Sequence, residues 1–308
     1  MSEPLRRQVR FATPRAVGAV LAVFRRGGGD PTSYREPGRW WQAWTTPEGP
    51  VTLLLQGAAV AEHVEASAWG AGASWMLEQV PQLLGEADDP AGFEPQHDIV
   101  REAWRRYPGW RVPRSGLVVQ ALIPAVIEQK VTGREAFASY RQLVRARGRT
   151  APGPGASLGM RCPPDAAGWA AIPSWEWLQA GVDAARSAPA VGAAGRGGRL
   201  EECRQLPLAD AHRRLRALPG IGVWTSAEVA QRALGDPDSV SFGDYHVAKN
   251  LGWALTGEEV DDAGLAELLE PYAGHRYRVQ RLIELLGVER PRRGPRRTLP
   301  GHLPRFRP

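Results

Sequence analysis

The residues best suited to chemistry are Asp244, in Phe242-Gly243-Asp244-Tyr245-His246, and the stretch Leu218-Pro219-Gly220-Ile221-Gly222-Val223-Trp224-Thr225 before it. Glycines lack a Cβ and let backbone N–H groups approach an anion closely, and a helix starting behind them adds its positive N-terminal end. A phosphate suits such a turn. A carboxylate fixed beside it stabilises positive charge that develops during a reaction, or orients and deprotonates an attacking water. Each feature also has a plain structural use: a Gly-x-Gly turn makes an ordinary helix corner, and Asp244 can cap a helix starting at Tyr245.

Elements on either side must position these groups. Residues 208–218 carry apolar side chains at helical spacing, Pro219-Gly220 stops the run, and residues 224–234 restart a helix capped by Gly235. From about Asp98 the pattern is helical throughout: 98–106, a long stretch over 116–145, then 175–185, 200–205, 247–255, 265–272 and 277–286. Gly, Ala and Pro-rich breaks at 151–165 and 187–199 predict surface loops. Ahead of these, residues 39–45 and 50–56 are β-prone and flank Thr46-Pro47-Glu48-Gly49, a hairpin signal. Residues 66–69 read as a further strand, and 74–84 as a helix with Trp75, Leu77, Val80 and Leu84 on its apolar side. The expected fold is mainly α with a small N-terminal α+β domain over 1–90, a helical domain over 91–288 and a basic tail over 289–308. That tail holds seven arginines among prolines and is expected to be disordered, since it has no core to bury.

A chain of 308 residues, 43% hydrophobic with 12 Trp, has room for two cores. Its net charge of +6 and pI near 9.8 fit a polyanionic partner. Only Lys130 and Lys249 are lysines. Two cysteines, Cys162 and Cys203, sit in polar, loop-like surroundings, and two are too few for a four-cysteine iron-sulfur cluster, a zinc site or a disulfide framework. Residues 1–11 are polar and basic without a signal-peptide core, and no run approaches a membrane span. These features predict a reduced, cytoplasmic protein. His246 and His275 have no partners at metal-ligand spacing and read as structural or phosphate-facing.

On the hairpin at Leu218-Pro219-Gly220-Ile221-Gly222-Val223-Trp224-Thr225, on Asp244, and on the interval from Trp224 to Asp244, the chain resembles the helix-hairpin-helix DNA glycosylase superfamily. Within it, the resemblance is to the bacterial 3-methyladenine DNA glycosylase II branch, and it extends more weakly over roughly residues 90–290. The resemblance implies the helix-hairpin-helix glycosylase fold, a nucleoid-associated bacterial enzyme acting as a monomer without cofactor, and double-stranded DNA containing a damaged base as partner. It makes Asp244 the catalytic acid and puts Gly220, Gly222 and Thr225 at the DNA. It also implies a monovalent cation on the carbonyls of Arg216, Leu218 and Ile221.

Chemistry on a base inside a duplex requires rotating the nucleotide out and filling the gap. By the resemblance, Gln129 and Lys130 stand at that gap, where the branch has an apolar wedge in place of Lys130. Relatives that also cut the strand use a hairpin lysine as an amine nucleophile. This chain has Trp224 there, which implies a monofunctional enzyme with Trp224 lining the base pocket. Glu228, at i+4 from Trp224, replaces an aromatic and either favours a cationic base or pairs with Arg232, itself at i+4. Glu128 is a third acid near the pocket mouth. The implied function is hydrolysis of the N-glycosidic bond of alkylated, 3-methyladenine-like purines in base excision repair. The alternatives are a non-catalytic damaged-DNA-binding adaptor, or a glycosylase for bulky adducts or crosslinks.

Overall fold

The computed structural model describes residues 3–291, so most of the basic tail expected over 289–308 lies outside the described residues. Five strands open the chain: β1 (Leu5–Arg15), β2 (Ser33–Glu36), β3 (Arg39–Thr46), β4 (Gly49–Gln56) and β5 (Ala61–Trp69). They form one antiparallel sheet in the order β1-β5-β4-β3-β2. The hairpin at Thr46-Pro47-Glu48-Gly49 joins β3 to β4, with Thr46 opposite Gly49. Both faces of the central strands are covered, which explains their near-continuous apolar runs. Trp40, Trp44, Val51, Leu53 and Leu55 enter one cluster, while Trp41, Ala43, Leu54 and Trp69 pack with Ala151, Met160 and Cys162 on the other side.

The helices that matter for the site are α1 (Ala73–Leu83), α2 (Asp98–Arg106), α3 (Val118–Ile127), α4 (Gly133–Arg147), α5 (Ala184–Ala194), α6 (Leu208–Arg216), α7 (Val223–Val229), α8 (Val247–Thr256), α9 (Asp262–Leu268) and α10 (Arg276–Leu286). The stretch expected as one long helix is thus two, broken over 128–132, where Thr132 and Glu135 form a capping box for α4. A π turn, Ala230–Leu234, extends α7 and ends at Gly235 in the left-handed conformation.

Neither stretch expected as a surface loop is one: within 151–165, Ala151, Met160 and Cys162 are buried against the sheet. The 187–199 stretch is not a surface loop, because α5 runs through Pro189 and buries Ala190, Ala193 and Ala194. The hairpin approaches α5 closely because Gly220 lacks a side chain: a Cβ there would lie 2.5 Å from Pro189 Cγ. The cysteines are likewise not in polar surroundings. Both are free and buried, and burial pushes the Cys162 thiol up to about 12.

Two main cores result. One joins the sheet, α1 and α2 to the C-terminal helices, from Val9 to Ile283. The other gathers α3, α4, α5, α6 and α7. The first is stitched by Arg278 of α10, fully buried, whose guanidinium grips Asp88 with bonds of 2.6 and 2.9 Å.

Candidate active site

The two cores meet where α7 and the π turn, from the second core, face the residue 236–246 loop, whose Val240 belongs to the first. The hairpin between α6 and α7 turns on Gly220 at φ 79°, with Ile221 buried beneath it. Gly222 and Val223 are exposed, and a Cβ on Gly222 would meet nothing within 4 Å, so the turn presents an open backbone surface. The first N–H groups of α7 have no intrahelical acceptor. Gln129 braces the hairpin from the α3–α4 break: its Nε2 donates to the Gly220 carbonyl at 2.9 Å and to Thr225 Oγ1 at 2.8 Å. Thr225, expected at the DNA, is therefore buried and spent on Gln129. Lys130 follows at φ 55°, the only non-glycine positive φ among the described residues, and is exposed. Holding a lysine there costs conformational energy that the surrounding bonds must supply. Of the carbonyls expected to hold a monovalent cation, that of Leu218 accepts the Ile221 N–H at 3.1 Å.

Asp244 stands at the end of a turn whose third residue is Gly243, φ 88°. A Cβ on Gly243 would lie 3.9 Å from Trp224 Cβ, so the Asp244 turn and Trp224 adjoin. Asp244 Oδ1 accepts the N–H groups of His246 at 2.7 Å and Val247 at 3.1 Å, in the turn that leads into α8, whose N-cap position is His246. Asp244 is therefore not the N-cap of a helix starting at Tyr245, since α8 starts at Val247 with His246 as its cap, and the two amide bonds use one carboxylate oxygen. Oδ2 makes no hydrogen bond among the described residues. Trp224 is half-buried. Tyr245 beside it is 69% exposed, its ring edge-on to His246 and under Lys249 Nζ at 4.2 Å.

Behind this front lie two acid–arginine pairs. Glu228 Oε2 accepts from Arg232 Nη1 at 2.7 Å, the i+4 pairing foreseen in the sequence, and Oε1 accepts from Ser241 Oγ at 2.6 Å. Burial is the largest single influence on Arg232 and opposes its charge, but Glu228, Tyr277, Glu128 and Glu284 together outweigh it and raise the pKa. Glu128 Oε1 lies 2.9 Å from Arg26 Nε. Neither atom has hydrogen-bond geometry, so this is ionic contact without alignment. Burial pushes the Glu128 carboxyl up, Arg26 and Arg232 pull it back, and Glu228 and Asp244 push it up again. A cavity of about 20 Å³, room for one water, lies beyond Arg26 and Arg232, and Asp244 is not among its walls.

Arg26 is one group that sequence reasoning missed. It enters on Arg25-Arg26-Gly27-Gly28-Gly29-Asp30, with Asp30 accepting the Arg26 N–H at 2.6 Å and Arg141 donating to its carbonyl at 3.0 Å. The glycine run signalled a loop, but nothing local links Arg26 to an acid about a hundred residues on.

No family model and no curated protein matches the chain. Solved structures do match its shape. The 3-methyladenine DNA glycosylase of Archaeoglobus fulgidus superposes with a TM-score of 0.74 at 17% identity, over 90% of this chain and 97% of the other. The 8-oxoguanine glycosylase/lyase of Clostridium acetobutylicum, in complex with double-stranded DNA containing cytosine opposite 8-oxoguanine, gives 0.65 at 11% over 92% and 97%. The 3-methyladenine DNA glycosylase of Schizosaccharomyces pombe, in complex with abasic DNA, gives 0.50 at 16% over 63% and 92%. The fold is that of the helix-hairpin-helix DNA glycosylases.

Proposed function

We propose that the chain is a monofunctional DNA glycosylase that hydrolyses the N-glycosidic bond of alkylated purines in duplex DNA, as a step of base excision repair. The observation that carries this reading is the Asp244 carboxylate. One oxygen is fixed by two backbone amides, and its turn adjoins Trp224 beside an open glycine hairpin. The hairpin backbone takes a DNA phosphate. Gln129 and the left-handed Lys130 stand at the gap left by the extruded nucleotide, and Lys130 fills it with a polar rather than an apolar group. The base stacks on Trp224.

As the bond from C1′ to the base nitrogen breaks, its electron pair leaves with the base. The sugar becomes cationic, and the Asp244 carboxylate stabilises that charge. The same carboxylate takes the proton of the water that adds at C1′. Trp224 has no amine to form a Schiff base with the sugar, so the strand stays intact. A purine nucleotide alkylated at ring nitrogen N3 or N7 carries positive charge before its bond breaks and leaves without further protonation. Nothing in this chemistry calls for a cofactor. Among the described residues no helix is long and apolar enough to cross a membrane.

The test is a panel of duplexes, each with one defined lesion: 3-methyladenine, 7-methylguanine, 8-oxoguanine opposite cytosine, a bulky adduct and a crosslink. Free base from the alkylpurine duplexes with intact strands is expected. Binding without release supports an adaptor instead, and release confined to 8-oxoguanine or to bulky adducts contradicts the alkylpurine assignment.

A further inference from the structure

The turn that carries Asp244 begins at Ser241. The turn over residues 241–244 is closed by the Asp244 N–H donating to the Ser241 carbonyl at 3.2 Å, and Gly243 N–H donates to Asp262 Oδ2 at 2.8 Å. Ser241 is 2% exposed and heavily bonded. Its hydroxyl donates to Glu228 Oε1 at 2.6 Å and accepts from Gln231 Nε2 at 2.9 Å and Gln280 Nε2 at 3.3 Å. Its N–H donates to Gln280 Oε1 at 3.1 Å. The chain of bonds continues through Glu228 to Arg232, whose Nε donates to the Val23 carbonyl at 3.0 Å. One network thus runs from the N-terminal segment, through the π turn of the hairpin's second helix, to the start of the turn that carries Asp244.

We propose that Glu228 and Ser241 are positioning residues: Glu228 holds Ser241, and Ser241 sets the Asp244 carboxylate against Trp224. This rests on the reading of Asp244 as the reacting acid. Glu228 does not contact the extruded base. Its side chain is 10% exposed, and its two oxygens are taken by a guanidinium and a hydroxyl. Freeing it to meet a cationic base would leave Arg232 buried without its counter-charge, a cost that a contact with the base does not recover. A positioning acid acts on every substrate alike, whereas a recognition acid discriminates by the charge of the base.

The experiment compares single-turnover base release and duplex affinity for the parent, Ser241→Ala, Glu228→Gln, Asp244→Asn and the double variant Ser241→Ala/Asp244→Asn, with folding checked by thermal melting. Ser241→Ala removes one hydroxyl and strands no charge. It is expected to slow release by on the order of tenfold, equally for a cationic alkylpurine and a neutral lesion, with affinity within about twofold of the parent. In the Asp244→Asn background the same change is expected to slow release by less than about twofold, because its effect passes through the missing carboxylate. Glu228→Gln is expected to show the same indifference to lesion charge. Release by Ser241→Ala at the parent rate, a full tenfold loss in the Asp244→Asn background, or a Glu228→Gln loss confined to the cationic lesion overturns the proposal. A parent that releases no base from any duplex overturns the functional reading and this proposal with it, whereas the three results above overturn the proposal alone.

Discussion

Trp224 brings two properties to one place: an aromatic face beside the Asp244 turn and no amine. Replacing it with Ala removes the stacking surface, worth about 1–3 kcal/mol per base. Release is expected to fall for charged and neutral lesions alike, by roughly 5- to 150-fold in kcat/KM, with no borohydride-trapped complex in parent or variant. A trapped complex would contradict the monofunctional assignment. At this scale much of the candidate site's geometry was legible in the sequence. Asp244, Trp224 and the hairpin glycines are contiguous or close in the chain, and the Glu228–Arg232 pair lies at the i+4 spacing of neighbours on a helix. Ser241 and Arg26 were not legible, because a buried serine and a loop arginine acquire meaning only from partners on other elements.

In the proposed function the hairpin meets the DNA and the loop leading to Asp244 places its carboxylate. Gly222→Asp puts a side chain and a negative charge on an open surface. It is expected to weaken binding to all duplexes and lower the salt slope of affinity by about one unit, as measured by titration at several ionic strengths. Unchanged affinity and slope would leave the hairpin as a mere corner. The loop is anchored at its start by Asp236, 6% exposed, whose Oδ2 lies 3.1 Å from His212 Nε2 on α6 and accepts from Ser239 Oγ at 2.5 Å. Burial pushes this carboxyl up, but the bonds from His212, Ser239 and the Asp238 amide outweigh it and hold the pKa below the ordinary value. Asp236 therefore contributes stability above the ordinary aspartate pKa of about 4, and the contribution is lost as pH falls through the lower folded value. Asp236→Asn is expected to melt lower than the parent at pH 7, with the gap in Tm closing as the pH falls below about 4. A gap independent of pH would contradict this. Elements were less legible than residues. The Ala and Gly richness of α5 imitates a loop, and β1 buries only Val9, Phe11 and Arg15, so its apolar alternation is weak.

The whole molecule holds the site at a seam between two cores, one of which joins the first strand to the last helix. That closure rests in part on Arg278 and Asp88, 0% and 2% exposed in their side chains. Arg278→Ala leaves Asp88 buried without its counter-charge and is expected to cost about 3–5 kcal/mol in denaturant unfolding. A loss under about 1 kcal/mol would show that the pair is dispensable. The mainly helical class and the small leading sheet were legible from periodicity and turn residues. The return of α10 to the sheet side was not, since no local signal in 277–286 states which half of the chain its apolar face meets.

The central claim is that the charge of Asp244 drives base release. Asp244→Asn keeps the shape and the oxygen that accepts the His246 and Val247 amides, and removes the charge. On the duplex that the parent processes best, single-turnover release by this variant is expected to fall on the order of a hundredfold or more, with duplex affinity within about threefold of the parent. Release by Asp244→Asn at near the parent rate would contradict the account.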